Sequence, residues 1–266
     1  MPRLFLGTRT GSGTAEYAAL TRHALTIAGS GAGKGACQII PNLRAWPDST
    51  VVIDPKGEAA QLTARQRRDD LGQTVVVLDP FAYAGGVDDL RASFNPLDLV
   101  QSKDDIDTIA DGLIYGAANT DDHWHESARL LLKGAIAYVV SDLATPDDER
   151  NLVTVWRFLT FLQDRTPVDP DKPDGATLAD KALSMLRGCQ AFGGIAQVAA
   201  SMISDTKETG SFFKNFNRQT EWLASEDMQA FLSAPSSFDL TQLKHDRLSV
   251  YLVIPPNKLQ RYGRFL

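Results

Sequence analysis

The residues best suited to chemistry in this 266-residue chain form the run Ala28-Gly29-Ser30-Gly31-Ala32-Gly33-Lys34-Gly35-Ala36. The run follows an apolar segment ending at Ile27 and precedes a stretch long enough for a helix, the context in which a backbone loop can wrap a phosphate. Glycines at 29, 31 and 33 permit φ > 0 and let N–H groups turn inward, and the helix N-terminus adds a favourable dipole. Lys34 would then reach the outer phosphates of a nucleotide. The pattern G-x-x-x-x-G-K-[ST] is met only in part, because Ala28 stands at its first glycine and Gly35 at the hydroxyl residue that normally holds magnesium. The alternative reading is a glycine-rich strand-to-helix turn with an exposed lysine.

Carboxylates come next. Asp54, in Val51-Val52-Ile53-Asp54-Pro55-Lys56-Gly57-Glu58, ends an apolar run where a parallel strand would deliver it beside the phosphates. Asp79-Pro80 ends a second such run. Either aspartate, or Glu58, could hold hydrated magnesium or polarise water, whereas an aspartate before proline can also serve only to start a turn. His123-Trp124-His125-Glu126 has histidines at i and i+2, which do not share a helix face, so it reads as a helix start and not as a metal site. Trp156, Phe158, Phe161, Phe212, Phe213, Phe216 and Trp222 are interleaved with aliphatic residues at helical spacing and read as core, although aromatic side chains can stack bases. Lys214-Asn215-Phe216-Asn217-Arg218, short and basic with an aromatic inside, could touch a substrate strand but reads rather as a solvated helix face.

These residues need elements to position them. Arg3–Leu6, Ala24–Ile27, Thr50–Ile53 and Thr74–Leu78 are short β-branched or aliphatic runs and read as buried parallel strands, with helices over 33–45 and 57–71. Pro41 removes one backbone donor and should kink the first of those helices or end its first part. From 103 to about 233 the apolar period becomes helical, over 103–116, 125–143, 151–162, 176–188 and 195–224. Residues 248–254 return to a strand, followed by Pro255-Pro256 and a basic stretch of Lys258, Arg261 and Arg264. Lys and Arg against Asp and Glu number 10 and 9 over 1–96, 12 and 22 over 97–235, and 5 and 2 over 236–266, so the acid lies in the helical block. Charge and period change together, which points to domains 1–97, 98–236 and 237–266, the middle one an all-helical insertion in an α/β unit. Two cysteines, Cys37 and Cys189, do not make a disulfide framework and suit a reducing compartment. No run approaches the ~18 apolar residues of a spanning helix, and a soluble chain is expected.

The loop ending Gly33-Lys34-Gly35, with Ile39-Ile40-Pro41-Asn42-Leu43, Trp46-Pro47 and Asp54-Pro55-Lys56-Gly57-Glu58, resembles the TraG/TraD-type coupling proteins of type IV secretion systems. Asp79-Pro80-Phe81, Phe94-Asn95-Pro96-Leu97-Asp98, His123–Arg129 and Val250–Pro255 resemble successive blocks of the same family, in order. Ala32, where the family usually has serine, departs from it. The resemblance implies a RecA-like P-loop NTPase core interrupted by a helical domain, with ATP held at residues 28–36. Lys34, Asp54 and Glu58 would support catalysis, Asp54 through water on magnesium. It further implies a hexamer at the cytoplasmic face of the bacterial inner membrane, passing a relaxosome DNA–protein complex or secreted effector proteins to the secretion channel. Members usually begin with membrane helices and continue to a Walker B segment. This chain is therefore expected to be a monomeric part that binds ATP and lacks the catalytic glutamate. Two other functions remain open on the sequence: a DNA-translocating ATPase of the FtsK/HerA type, and a non-hydrolysing substrate-docking module.

Overall fold

The structure, a computed structural model, describes residues 3–20, 22–114, 122–203 and 207–263. In chain order it forms β1 (Arg3–Thr8), β2 (Ala15–Ala19), a π-helical turn (Gly35–Ile39) running into α1 (Ile40–Ala45), β3 (Thr50–Ile53), α2 (Glu58–Asp69) and β4 (Thr74–Leu78). Helices α3 (Lys103–Leu113), α4 (Asp122–Ser141), α5 (Leu152–Phe161), α6 (Leu178–Gly188), α7 (Ala191–Ser201), α8 (Lys207–Thr220) and α9 (Glu226–Ser233) follow. Then come α10 (Gln242–His245), β5 (Leu248–Leu252) and α11 (Pro256–Tyr262). The chain divides into two compact units, one of residues 1–92 with 237–264, the other of residues 93–236. Residues 115 and 116, at the end of one expected helix, and Arg264 lie outside the described residues, as do the side chains of His123 and Trp124.

In the first unit β5 lies between β3 and β4, parallel to both, pairing Ile53 with Leu252 and Leu78 with Leu252. Side chains alternate across a strand. Val75 and Val77 of β4, with Tyr251 of β5, therefore join one core with Leu43 of α1 and Ala59, Ala60 and Ala64 of α2. The alanines let α2 lie close to the sheet. Arg67, in the last turn of α2, is fully buried and donates to Ser249 Oγ (2.8 Å), Asp48 O (3.0 Å) and Leu43 O. Burial lowers its pKa from the ordinary value, since desolvation penalises the cation.

Two expected strands differ. Arg3–Leu6 lies in an antiparallel hairpin with β2 and not in the parallel sheet. The intervening turn closes through Arg9 N to Thr14 O and Gly13 N to Arg9 O, with Gly11 and Gly13 at φ +90° and +67°. Ala24–Ile27 forms no strand, and Leu25 and Ile27 are 84% and 86% exposed. Composition makes a run fit for a sheet, but a strand needs a neighbouring backbone to bond, and the described partner of β3 is β5 alone. At Pro41 the helix changes form and continues, the π-helical turn ending at Ile39 and α1 beginning at Ile40. The preceding turn widens so that Ile40 N bonds Gly35 O, which puts Pro41 second in α1, where no intrahelical donor is required.

The helical unit is organised on α4, whose Leu131, Ala135, Ile136 and Ala137 are fully buried. Capping boxes start α3 (Ser102 with Asp105) and α6 (Thr177 with Asp180), and Asn151 caps α5. A Cβ on Gly134 of α4 would lie 2.5 Å from the Ala199 Cβ of α7, so only glycine allows that approach. The expected 195–224 helix is divided into α7, α8 and a 3₁₀ turn at Glu221–Ala224. At the two ends of the unit, Ser93 Oγ donates to Pro235 O (2.5 Å), Asn95 N to Ser236 Oγ (2.9 Å) and Ser236 N to Asp98 Oδ2 (3.1 Å). The chain thus enters and leaves this unit side by side.

Candidate nucleotide site

Residues 28–36 form an exposed turn that leads into a helix. Gly31 and Gly33 have φ +75° and +81°, in the left-handed region that favours glycine, whereas Gly29 does not need it. Lys34 is already helical at φ −47°, ψ −47°. Its ammonium turns back into the loop and donates to Ala28 O (2.6 Å) and Gly29 O (2.9 Å). Inside the loop Ala32 N reaches Gly29 O only at 3.3 Å, and helical bonding begins at Cys37 N to Gly33 O. The first amides of a helix have no intrahelical acceptor. Amides and ammonium together make a donor set that fits an anionic oxygen cluster such as the phosphates of a nucleotide. Gly35 and Ala36 lie in the π turn and present no side-chain oxygen, so neither can ligate magnesium through its side chain.

Asp54 ends β3 and is buried. Its Oδ2 accepts from Ala60 N at 2.8 Å, which makes the carboxylate a cap on the N-terminus of α2. Burial raises its pKa above the ordinary 3.8, against the lowering by amide bonds from Ala60, Ala59 and Glu58. The turn-building reading of this aspartate is therefore the one the geometry displays, with the carboxylate bonded to the first amides of α2. Glu58 is exposed in the first turn of α2. Gly57 between them has φ +69°, and a Cβ there would lie 2.7 Å from the Ala84 Cβ, so the loop after β4 closes against this turn. Asp54 and Lys34 bond to different partners and not to each other.

Asp79 takes a different part. Its Oδ2 accepts from Ala84 N (2.8 Å) and lies 3.6 Å from Arg91 Nε, while its buried Oδ1 has no hydrogen-bond partner. An arginine beside it neutralises the charge a cation would need. Sequence reasoning found the carboxylate and missed Arg91, which stands twelve residues downstream with no motif around it. Among the described residues no group of three or more His, Cys, Asp and Glu side chains could hold a metal. His125 is buried on α4. Phe158, Phe212, Phe213, Phe216 and Trp222 are buried in the helical unit, whereas Phe161 is 47% exposed. Cys37 and Cys189 are free thiols.

A parallel sheet packed with helices and a glycine-turned loop heading a helix make a mixed α/β fold of the P-loop NTPase class. Solved structures of the coupling protein TrwB share this fold. An unbound form superposes with a TM-score of 0.57 at 15% identity, over 89% of this chain and 46% of that one. TrwB in complex with ADP and Mg2+ gives 0.54 at 15%, over 89% and 48%. Residues 5–266 match the family described as type IV secretory system conjugative DNA transfer, and the chain belongs to it. Two conjugal transfer proteins TraG of Escherichia coli are 26% and 24% identical over 247 residues, 90% of this chain. The chain spans 37% of the length of these curated relatives. No helix among the described residues is long and apolar enough to cross a membrane.

Proposed function

We propose that this chain is the nucleotide-binding part of a conjugative coupling protein, holding ATP with magnesium at residues 28–36 and using it to hand DNA or protein cargo to a secretion channel. The observation that carries the reading is the loop itself, in which Gly31 and Gly33 take left-handed φ and the Lys34 ammonium folds back onto Ala28 O and Gly29 O. Phosphate oxygens would take over the acceptor role that Ala28 O and Gly29 O fill. Asp54 would hold a water on magnesium through the oxygen not engaged by Ala60. Bound magnesium would supply charge neutralisation of the phosphates. Glu58, exposed at the same turn, is the further carboxylate within reach of that solvent. The helical unit, with its excess of acid, would be the face that meets cargo or adaptor proteins, and full-length assemblies would be hexamers at the inner membrane.

The test is binding of a fluorescent ATP analogue with and without magnesium. Saturable binding that Lys34→Ala abolishes is the expected result. Equal affinity of wild type and Lys34→Ala would remove residues 28–36 from the site, and unchanged magnesium dependence in Asp54→Ala would move the metal elsewhere.

A further inference from the structure

Residues 79–92, the loop after β4, close on themselves. Ala92 N donates to Val77 O (3.1 Å) and Arg91 bridges in parallel to Val77, so the loop returns to the strand it left. Compact loops whose ends meet around their own side chains are frequently functional. Here those side chains are Ala84, Val87 and Leu90, buried in one core with Ala59, Ala60 and Ala64 of α2. Both backbone polar groups of Ala84 are held by side chains: its N–H donates to Asp79 Oδ2 (2.8 Å), and its carbonyl accepts from Arg91 Nη2 (2.9 Å). Asp79 Oδ2 and Arg91 Nε face each other at 3.6 Å. Ala82 stands at φ +50°, a region that disfavours a side chain, so these bonds and not local preference set the course of the loop.

What they set is the approach to Gly57. A Cβ there would lie 2.7 Å from Ala84 Cβ and 3.1 Å from Ala84 Cα, so Ala84 lies directly on the glycine. Gly57 N donates to Asp54 O (3.0 Å), and Asp54 Oδ2 accepts from Ala60 N (2.8 Å). These bonds orient the carboxylate within its turn, and Asp54 N to Leu252 O (2.9 Å) ties the strand end to the sheet. Ala84 closes the remaining side, at Gly57. We propose that Asp79 and Arg91 are positioning residues for the magnesium side of the nucleotide site: they hold Ala84 on Gly57 and so fix the turn that carries Asp54 and Glu58. The inference rests on the nucleotide reading above, in which Asp54 holds a water on magnesium. Groups behind a metal-binding carboxylate that fix its place typically contribute roughly 10–100-fold in metal affinity. A second tie joins the loop to α2 at the surface, from Arg65 and Arg68 to Asp89 (2.5 and 2.9 Å). It lies about two turns beyond Glu58 and does not touch the Asp54 turn.

The experiment titrates a fluorescent ATP analogue against the full 266-residue chain at a series of magnesium concentrations, with amide hydrogen exchange of the free protein read by NMR. Asp79→Ala and Arg91→Ala should each raise the magnesium concentration for half-maximal binding roughly 10-fold and leave the magnesium-free affinity unchanged. General loss of structure would lower both together. Asp79→Asn keeps an acceptor for Ala84 N and should restore the wild-type magnesium dependence. In Asp79→Ala, exchange at Gly57 and Ala60 should quicken roughly 5-fold, while Asp70 at the far end of α2 stays as in wild type. Ala84→Gly keeps both backbone bonds and removes the methyl that faces Gly57. It should move magnesium dependence and exchange in the same direction, and it decides the matter where Asp79→Ala does not melt cooperatively. Asp89→Ala cuts only the surface tie and should match wild type. The proposal is overturned if the Asp79→Ala and Arg91→Ala proteins stay within twofold of wild type in magnesium dependence. It is equally overturned if exchange at Gly57 and Ala60 is unchanged, if Asp79→Asn fails to rescue, or if Asp89→Ala shifts as far. A wild type that binds no analogue overturns the nucleotide reading and this inference together, whereas unchanged variants of a wild type that binds overturn this inference alone.

Discussion

Lys34 has two carbonyl acceptors in its own loop, so an arriving phosphate competes with bonds already made. The gain is the difference between a charge-assisted bond to an anion and one to a neutral oxygen. Lys34→Ala is accordingly expected to weaken ATP binding at least ~10-fold by titration, since bonds to charged groups contribute roughly 1.5–3 kcal/mol. Asp54 yields a prediction in pH. Its pKa is raised on folding, chiefly by burial, so the ionised carboxylate is less at ease in the native state than in the unfolded one. That stability is fully present below the unfolded value of 3.8 and is lost as pH rises through the folded value. Asp54→Asn keeps an oxygen for Ala60 N and removes the charge. Thermal melts should show the variant more stable than wild type at pH 7, by about 1 kcal/mol or less, with the advantage vanishing towards pH 3.8.

At the scale of elements, α2 is held at both ends by residues of opposite legibility. Its start was readable: an aspartate, a proline and a glycine before an alanine-rich helix announce a turn and a cap. Its end was not, because an arginine in a last helical turn normally reads as a solvated partner of the dipole. Arg67 is buried instead, since the carbonyls of Leu43 and Asp48 and the Ser249 hydroxyl converge on it from three segments distant in sequence. Arg67→Met should cost about 3 kcal/mol or more in urea unfolding, as several buried acceptors lose their donor together. The strands teach the same limit. Thr50–Ile53, Thr74–Leu78 and Leu248–Leu252 were legible from β-branched composition, yet Ala24–Ile27 has similar character and stays outside the sheet. Conversely Ala15–Ala19 has little strand character and becomes β2, because a tight turn brings it beside β1. Pairing belongs to the neighbour as much as to the run. The phosphate loop was legible because its glycines and lysine are contiguous. The Asp79–Arg91 pair was not, since its members meet only after folding.

For the whole molecule, the side-by-side ends of the helical unit give a direct experiment. A fragment of residues 93–236 begins and ends where Ser93, Asn95 and Asp98 already bond Pro235 and Ser236, so excision opens no loop. It should be helical by circular dichroism and melt cooperatively; a molten product would show that its core needs the sheet. The strand order has a further consequence, one that concerns time. β5 is the middle strand and the common partner of β3 and β4, yet 169 residues, 79–247, separate it from β4. At ~5–20 residues per second on the ribosome, β3 and β4 wait roughly 8–34 s for the strand that joins them. The helical unit, complete before β5 is translated, can fold first. The first half of the sheet meanwhile stands with unpaired edges in reach of other nascent chains, and slowing translation before residue 248 should lengthen that exposure and lower the yield of native protein.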